Sequence, residues 1–219
     1  MNQILAVVFD FDDTLGDRNK YAYYLYEQFL LDYIPEKVSN MIYRESLLQD
    51  MMIFDQHSYC DKDTILKKIE SKYNFKFPNT SLSKYFNENI KNYTVLYDDA
   101  LSTLSYLRRK YKLGIMTNGD SKSQLDKIKK VIDINLFDSV VVSGDYLFEK
   151  PDKRLFQVCI GQLKVPADNI MFVGDSFCND VMGAINAGMN AIWMWPDDGR
   201  IQRTSVKRIK KLSELTEIL

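Results

Sequence analysis

The sequence is poor in the residue types that carry much of enzyme chemistry. It has three cysteines, at Cys60, Cys159 and Cys178, and none forms a CxxC pair. This scatter predicts reduced thiols rather than disulfides or a zinc site. The single histidine, His57, lies far along the chain from the other candidate residues described below. A mechanism built on a histidine base is therefore disfavoured, and His57 is expected at the surface.

The chain also lacks an excess of one charge and any long apolar run. Its 219 residues include 29 Lys and Arg against 30 Asp and Glu, so no basic surface for a nucleic acid polymer is predicted. No stretch is long enough to span a membrane, and the first apolar run is too short for a signal peptide. We expect a cytoplasmic protein. The length permits one large domain, or a core with an insertion, and the 46% of hydrophobic residues is enough to build a core.

The most informative stretch is Ile4–Leu15, with the sequence ILAVVFDFDDTL. Its apolar part, Ile4–Phe9, predicts a strand that is buried on both faces, as in a parallel sheet. Three carboxylates and a hydroxyl follow directly, from Asp10, Asp12, Asp13 and Thr14. Because gathered carboxylates repel one another, their place at the carboxyl end of a strand indicates a ligand site. On this segment alone, an acidic turn remains the alternative.

Residues 16–94 carry helical signals and no convincing strand. Apolar spacing and helix-stopping prolines predict four helices: one from about Arg18 that ends before Pro35, and others over Lys37–Met52, Asp61–Tyr73 and Ser81–Asn92. This pattern indicates an all-helical insertion.

From Asp98 onward, predicted helices and strands alternate. The predicted strands are Leu113–Thr117, Ser139–Val142, Asn169–Val173 and Ala191–Trp195. The helices are about Asp98–Lys110, with Leu101, Leu104 and Leu107 buried, then Ser121–Val131, Pro151–Leu163 and Ser176–Ala187. The tail after Gly199 is polar and basic, with a short helix near Leu212–Leu219. Alternation of this kind predicts right-handed βαβ units, so the fold class is α/β, with a three-layer Rossmann-like parallel sheet. Its core is predicted to cover residues 1–15 and 95–219.

Polar residues follow three of the predicted strands, and one more lies in a loop. They are Asp10 and Asp12, Thr117 and Asn118, Asp175 and Asp180, and Lys150 in the loop. The carboxyl ends of parallel strands share one edge, where these side chains should converge. Four carboxylates against one ammonium call for a cation, and oxygen ligands favour Mg²⁺. Thr117, Lys150 and backbone N–H groups are suitable donors to phosphate. One aspartate can then serve as nucleophile and a second as acid/base.

These motifs resemble those of the haloacid dehalogenase-like hydrolases. The residues that carry the likeness are the DxDxT run Asp10–Thr14, then Thr117–Gly119, Lys150–Asp152, and Gly174–Asp180. Each motif is weak alone, but four in the right order are specific. The resemblance implies that the helical segment 16–94 is a cap of the family's first type, inserted after the first strand.

The resemblance also implies a role for each site residue. Asp10 is expected to be the nucleophile and a metal ligand, while Asp12 is expected to act as general acid/base and to bind the metal through its backbone carbonyl. Thr117, Asn118 and Lys150 are expected to hold the phosphoryl group, with Lys150 also steadying Asp10. Asp175 and Asp180 are the further metal ligands expected, Asp180 either directly or through water. Thr14 is expected to order its loop through its hydroxyl, and Asp13 departs from the glycine often found there.

The expected function is that of a magnesium-dependent phosphatase acting on a small phosphorylated metabolite, a nucleoside monophosphate or a sugar phosphate, through an aspartyl-phosphate. A phosphomutase shares every motif and stays open as an alternative. So does a non-catalytic binding protein on the same fold, although the intact Asp10 and Asp12 argue against it. A dehalogenase is less favoured because that branch needs no acid at the position of Asp12. A phosphonatase is also less favoured, because it would need a cap lysine that forms a Schiff base.

Overall fold

Residues 3–195 and 203–219 are described in the computed structural model of the chain. The chain divides into two units: Met1–Asp17 with Leu96–Leu219, and Arg18–Val95. The first residues of the predicted polar tail, up to 202, lie outside the described part. We take the two units in turn.

The first unit is built on a six-stranded sheet in the order β3-β2-β1-β4-β5-β6, with every paired strand parallel. The strands are β1 (Ala6–Phe9), β2 (Lys112–Thr117), β3 (Ser139–Val142), β4 (Ile170–Gly174), β5 (Asn190–Met194) and β6 (Lys207–Ile209). Because β1 lies between β2 and β4, its last residue, Phe9, is in register with Ile115 and Val173. The end of β1 is thereby placed at the centre of the carboxyl edge.

Nine α-helices and one π-helix occur in the described residues. They are α1 (Arg18–Tyr33), α2 (Met41–Asp55), α3 (Lys62–Tyr73), α4 (Leu82–Tyr93), α5 (Ala100–Arg108), α6 (Ser121–Val131), α7 (Lys153–Leu163), the π-helix (Phe177–Met182), α8 (Gly183–Asn186) and α9 (Leu215–Ile218). Among the helices described, none combines the length and apolar character needed to cross a membrane.

Two apolar layers cover the two faces of the sheet. Alternation along β1 sends Val7 and Phe9 to one face and Ala6 and Val8 to the other, and all four are fully buried. The first face packs with Leu104 of α5, Leu107 of α5 and Leu215 of α9. The second packs with Leu155, Phe156 and Cys159 of α7 and Ala184 of α8. The predicted three-layer α/β fold is therefore confirmed.

The strand β6 was not predicted, because its segment was assigned to the polar tail. It pairs with β5 through Ile192 and Lys207, and through Met194 and Ile209. Lys207 is exposed whereas Ile209 is buried. A strand of three residues with two basic side chains gives too short an alternation to be recognised in sequence.

Leu101 was predicted to be buried, and this was wrong, since 52% of it is exposed. The buried stripe of α5 consists of Ala100, Thr103, Leu104 and Leu107. These positions follow the spacing of one helical face, and Leu101 falls beside that face.

The second unit, Arg18–Val95, consists of α1 to α4 around an aromatic-rich core that includes Tyr21, Tyr26 and Phe29. Its second helix begins at Met41 rather than Lys37, because the Asn40 side chain accepts a hydrogen bond from the Tyr43 amide at 3.1 Å and caps it there. A function for this unit as a cap stays a prediction.

A buried ionic cluster lies within the second unit. The Asp55 carboxylate, 1% exposed, accepts a hydrogen bond from the Tyr26 hydroxyl at 2.8 Å and pairs with Arg18 at 2.6 Å and with Lys62. Burial raises the pKa of Asp55, but the two cations outweigh it and hold the pKa below its usual value. The cluster ties α1, the end of α2 and α3 together.

Candidate active site

One buried ammonium joins two carboxylates at the carboxyl edge of the sheet. The Lys150 Nζ donates to Asp10 Oδ1 at 2.7 Å, to Asp180 Oδ1 at 2.7 Å and to the Met116 carbonyl at 3.2 Å. Lys150 is 4% exposed, and the two aspartates are 6% and 1% exposed. Asp10 and Lys150, 140 positions apart in sequence, thus meet where β1 and β2 end.

Asn118 holds Lys150 in place through main-chain contacts. Its side-chain Oδ1 accepts from the Lys150 amide at 2.9 Å, and its Nδ2 donates to the Lys150 carbonyl at 3.0 Å. The loop after β2 is therefore fastened to the loop before α7. The lysine backbone is fixed on both sides, which orients the side chain toward Asp10.

The segment around Asp180 is a π-helix, where a regular α-helix was predicted. The Val181 amide donates back to the Ser176 carbonyl at 3.3 Å, five residues earlier, as a π-helix requires. The Asp180 Oδ2 accepts from the Ser176 amide at 2.9 Å. A Cβ added at Gly174 would clash with the Asp180 carboxyl group, so only glycine at this strand end leaves room for the aspartate.

The three carboxylates at this edge fit a hard divalent cation. One oxygen from each of Asp10, Asp175 and Asp180 lies within 4.8 Å of the other two. Carboxylate oxygens are the protein donors that Mg²⁺ prefers. Asp175 is partly exposed, which leaves room for water or a substrate oxygen to complete the coordination.

The pKa values of two of these carboxyl groups are raised, as expected for buried and crowded carboxylates. The pKa of Asp10 is raised to about 7, chiefly by burial; Lys150 opposes the shift, while Asp180 and Asp12 add to it. Burial, then Asp180 and Asp10, hold the pKa of Asp175 well above its usual value. Burial lowers the pKa of Lys150, but Asp10 and Asp180 outweigh it and keep the ammonium charged. Without a bound cation, burial and mutual repulsion therefore favour the protonated forms of Asp10 and Asp175.

These shifts predict how the metal-free protein responds to pH. Between the ordinary Asp pKa of 3.8 and the folded value of about 7, the folded protein binds more protons than the unfolded chain. The contribution of Asp10 to stability is thus fully present at low pH and is lost as pH rises through about 7. In EDTA, the melting temperature should therefore fall between about pH 4 and about pH 7 and level off above that range. Asp10→Asn should flatten that slope; an unchanged slope in this variant would contradict the assignment.

The carboxylate of Asp12 is held by two side chains of α6. The Lys127 Nζ lies 2.7 Å from each of the Asp12 oxygens, and the Gln124 Nε2 donates to Asp12 Oδ2 at 2.9 Å. Gln124 also donates to Thr117 Oγ1 at 3.0 Å. Neither residue of α6 was identified from sequence. The sequence feature that could have pointed to them is their spacing: Gln124 and Lys127 lie on the face of α6 that also carries the buried Ile128.

The loop that follows Asp12 is ordered by its main chain. The amides of Thr14, Leu15 and Gly16 converge on the Phe11 carbonyl at 3.3, 3.0 and 2.8 Å. The expectation that the Thr14 hydroxyl orders this loop was wrong, because this buried hydroxyl has no hydrogen-bond partner among the residues described.

Asp13 adopts a backbone conformation that favours glycine. Its φ is 59°, in the left-handed region that glycine adopts without strain and that aspartate tolerates better than most residues.

The structure brings all the predicted site residues to this edge: Asp10, Asp12, Thr117, Asn118, Lys150, Asp175 and Asp180. The single histidine, His57, is exposed in the second unit, as predicted. Cys178 lies inside the fourth motif but is exposed.

This chain is similar to several known proteins. Residues 7–194 match the model of the family described as haloacid dehalogenase-like hydrolase. A glyceraldehyde 3-phosphate phosphatase from Methanothermobacter thermautotrophicus is 28% identical over 231 residues, covering 98% of this chain and 99% of the relative. An N-acylneuraminate-9-phosphatase from Mus musculus is 34% identical over 111 residues, covering 51% of this chain and 45% of the relative, so this match spans less than half of the mouse protein. Among solved structures, the hydrolase YfnB from Bacillus subtilis, bound to magnesium, superposes with a TM-score of 0.75 at 23% identity, covering 99% of both chains.

Proposed function

Because this chain belongs to the haloacid dehalogenase-like hydrolase family, we propose that it is a magnesium-dependent phosphatase of a small phosphorylated metabolite, acting through an aspartyl-phosphate. The observation that carries the proposal is the contact of one buried lysine, Lys150, with both Asp10 and Asp180, next to a second aspartate, Asp12, two residues from the first. Both relatives named above are phosphatases, one of glyceraldehyde 3-phosphate and the other an N-acylneuraminate-9-phosphatase, which supports a small phosphorylated substrate.

Magnesium would be held by the carboxylates of Asp10, Asp175 and Asp180, with the Asp12 backbone carbonyl as a further ligand. The oxygen donors and the raised pKa values of Asp10 and Asp175 support this assignment. When bound, the ion neutralises the carboxylates and draws charge from the phosphoryl oxygens. Both oxygens of Asp180 already accept hydrogen bonds from the protein, and two modes of contact with the ion stay open for it, direct or through water.

In the first step, Asp10 attacks phosphorus and the bond to the leaving oxygen breaks. Asp12 gives that oxygen a proton, so an alcohol departs rather than an alkoxide. The product is an aspartyl-phosphate on Asp10, with Asp12 now ionised.

In the second step, Asp12 takes a proton from water, and the water oxygen attacks phosphorus. The bond to Asp10 breaks, which releases inorganic phosphate and restores both carboxyl groups. One residue thus serves as acid and then as base, and no histidine is needed.

Donors around Asp10 hold the transferring phosphoryl group. Since the Asn118 side chain is engaged with the Lys150 backbone, we assign phosphate contact to the main-chain amide of Asn118. Thr117 Oγ1 accepts from Gln124, and its own hydrogen has only a long contact of 3.5 Å, to the Asn118 carbonyl. That hydroxyl can therefore turn to donate to a phosphate oxygen. Lys150 supplies positive charge where negative charge develops.

The substrate class is a sugar phosphate or a nucleoside monophosphate. A phosphomutase would use the same residues, and would convert a sugar phosphate into its isomer without releasing phosphate. The free state of the three cysteines supports a cytoplasmic location, which stays a prediction.

The test is release of inorganic phosphate from p-nitrophenyl phosphate, with magnesium and with EDTA. A screen of sugar phosphates and nucleoside monophosphates under the same conditions follows. We expect turnover that depends on magnesium, with at least one metabolite preferred over the aryl ester. Isomer formation without phosphate release would favour the phosphomutase, and no reaction with any phosphate ester would overturn the proposal.

Magnesium should also raise the melting temperature, because it binds the folded protein and relieves repulsion among the carboxylates. At about 100 times the dissociation constant, the expected gain is about 2.7 kcal/mol. The shift should shrink strongly in Asp175→Ala. It should persist in the control Asp126→Ala, since Asp126 pairs with Lys122 on the surface of α6. A melting curve of the native protein that ignores both magnesium and EDTA would count against the metal site.

A further inference from the structure

A lysine is buried beside the proposed acid/base residue. Lys127 of α6 is 5% exposed, and its Nζ lies 2.7 Å from both oxygens of Asp12. We propose that Lys127 and Gln124 are positioning residues, which hold the Asp12 carboxyl in the orientation needed for proton transfer to and from the phosphoryl site. This inference rests on the proposed function and adds a supporting pair of residues to it.

The two equal distances fix how the Asp12 carboxylate is turned. An ammonium at the same distance from both oxygens lies in the plane that bisects the carboxylate, and the contact from Gln124 to Oδ2 makes the two oxygens inequivalent. Rotation of a carboxylate about its last bond is otherwise broad. A side chain aimed at a leaving oxygen must stay within about half an ångström of its productive place, so such bracing affects rate.

Gln124 links Asp12 to the phosphate side of the site. Its Nε2 lies 2.9 Å from Asp12 Oδ2, 3.0 Å from Thr117 Oγ1 and 2.6 Å from the Asn118 carbonyl. Two amide hydrogens are shared among these three acceptors. One side chain therefore sets the distance between the proton donor and the residue that we assign to the phosphoryl oxygens.

The ring of Phe11 is a further neighbour of the Lys127 ammonium. Lys127 Nζ lies 5.6 Å from the centre of that ring, within the range of a cation–π interaction. Phe11 stands between Asp10 and Asp12 in sequence, so the lysine contacts two consecutive residues of the first motif. Lysine is rarely buried without partners of this kind.

The start of α6 places both residues. The Asp120 side chain caps the helix by accepting from the Ser123 amide at 2.8 Å. Gln124 and Lys127, three residues apart, then share the buried face, while Lys122 stays exposed and pairs with Asp126. Lys122 is therefore a matched control on the same helix.

The experiment compares Lys127→Met and Lys122→Met in the full chain, with magnesium, on p-nitrophenyl phosphate and on an alkyl ester such as glycerol 3-phosphate. We expect Lys127→Met to lower kcat on the alkyl ester by about 10- to 100-fold, a part of the usual acid/base contribution. The loss should be smaller on the aryl ester, whose leaving group needs little protonation. Lys122→Met should match the native enzyme, and both variants should keep the magnesium-induced melting shift.

A double-mutant cycle with Asp12→Asn tests whether Lys127 affects kcat through Asp12. If Lys127 acts through Asp12, Lys127→Met costs little more once Asp12 is replaced, so the two losses are not additive. Lys127→Arg, which keeps a cation able to contact both oxygens, should recover part of kcat. The same cycle with Gln124→Met keeps the test available if Lys127→Met does not fold.

The outcomes separate this inference from the proposed function. An active native enzyme with native kcat in both Lys127→Met and Gln124→Met would overturn the inference alone. So would losses that are equal on the two esters and additive with Asp12→Asn. A native protein that releases no phosphate from any ester would overturn the proposed function and this inference with it.

Discussion

Asp10→Asn is expected to abolish phosphate release, with a loss on the order of 10⁴-fold or more. An amide is a poor nucleophile toward phosphorus, and Asp10 is the carboxylate that Lys150 contacts at the end of the central strand. Steady-state release of phosphate from p-nitrophenyl phosphate measures the loss. Asp126→Asn, a change of the same chemistry on the surface of α6, should keep native turnover.

The same variant should keep its fold. Burial and neighbouring carboxylates already disfavour the charge on Asp10, so a neutral side chain of the same shape relieves repulsion. Lys150 keeps its contact with Asp180 at 2.7 Å. We expect the melting temperature in EDTA near pH 8 to be equal to or higher than that of the native protein. Asp10→Ala serves as a check on slow deamidation of the introduced asparagine back to aspartate, and native turnover in either folded variant would remove Asp10 as the nucleophile.

Asp12→Asn is expected to separate the two halves of the reaction. Transfer to Asp10 expels a basic alkoxide unless the leaving oxygen is protonated, so the loss on a sugar or nucleoside phosphate should reach about 10²- to 10⁴-fold. An aryl phosphate needs little protonation, so its first step should be affected less. Water attack on the aspartyl-phosphate should then be slow with either substrate, because the base is gone.

Rapid mixing of Asp12→Asn with p-nitrophenyl phosphate and magnesium should show this as a burst of nitrophenol followed by slow turnover. The amplitude of the burst should approach the concentration of enzyme. Equal losses on alkyl and aryl esters, without a burst, would mean that Asp12 is not the acid/base.

Much of the fold was predictable because a parallel sheet leaves a strong mark on sequence. The apolar run before Asp10 predicted a strand buried on both faces, and β1 is buried along its whole length. What escaped prediction depends on tertiary contact. The strand β6 is defined by pairing with β5, and the π-helix carries Asp180, which contacts Lys150 from 30 positions away in sequence.

Part of the site was also predictable from the sequence. Carboxylates and a lysine at strand ends are unusual choices, so Asp10, Asp175 and Lys150 stood out. Gln124 and Lys127 did not, because a lysine on a helix that carries three other lysines in Ser121–Val131 is normally solvated. Its burial follows from the position of Asp12 across from α6, which no local pattern encodes.

Chemical trapping of the intermediate tests the central claim most directly. Asp12→Asn is mixed with p-nitrophenyl phosphate and magnesium, quenched during the slow phase, reduced with borohydride and analysed by peptide mass spectrometry. An acyl phosphate on Asp10 is reduced to the alcohol, so we predict homoserine at position 10, dependent on both magnesium and substrate. Phosphate release without any modification of Asp10, or with a phosphoryl group on another residue, would contradict the account.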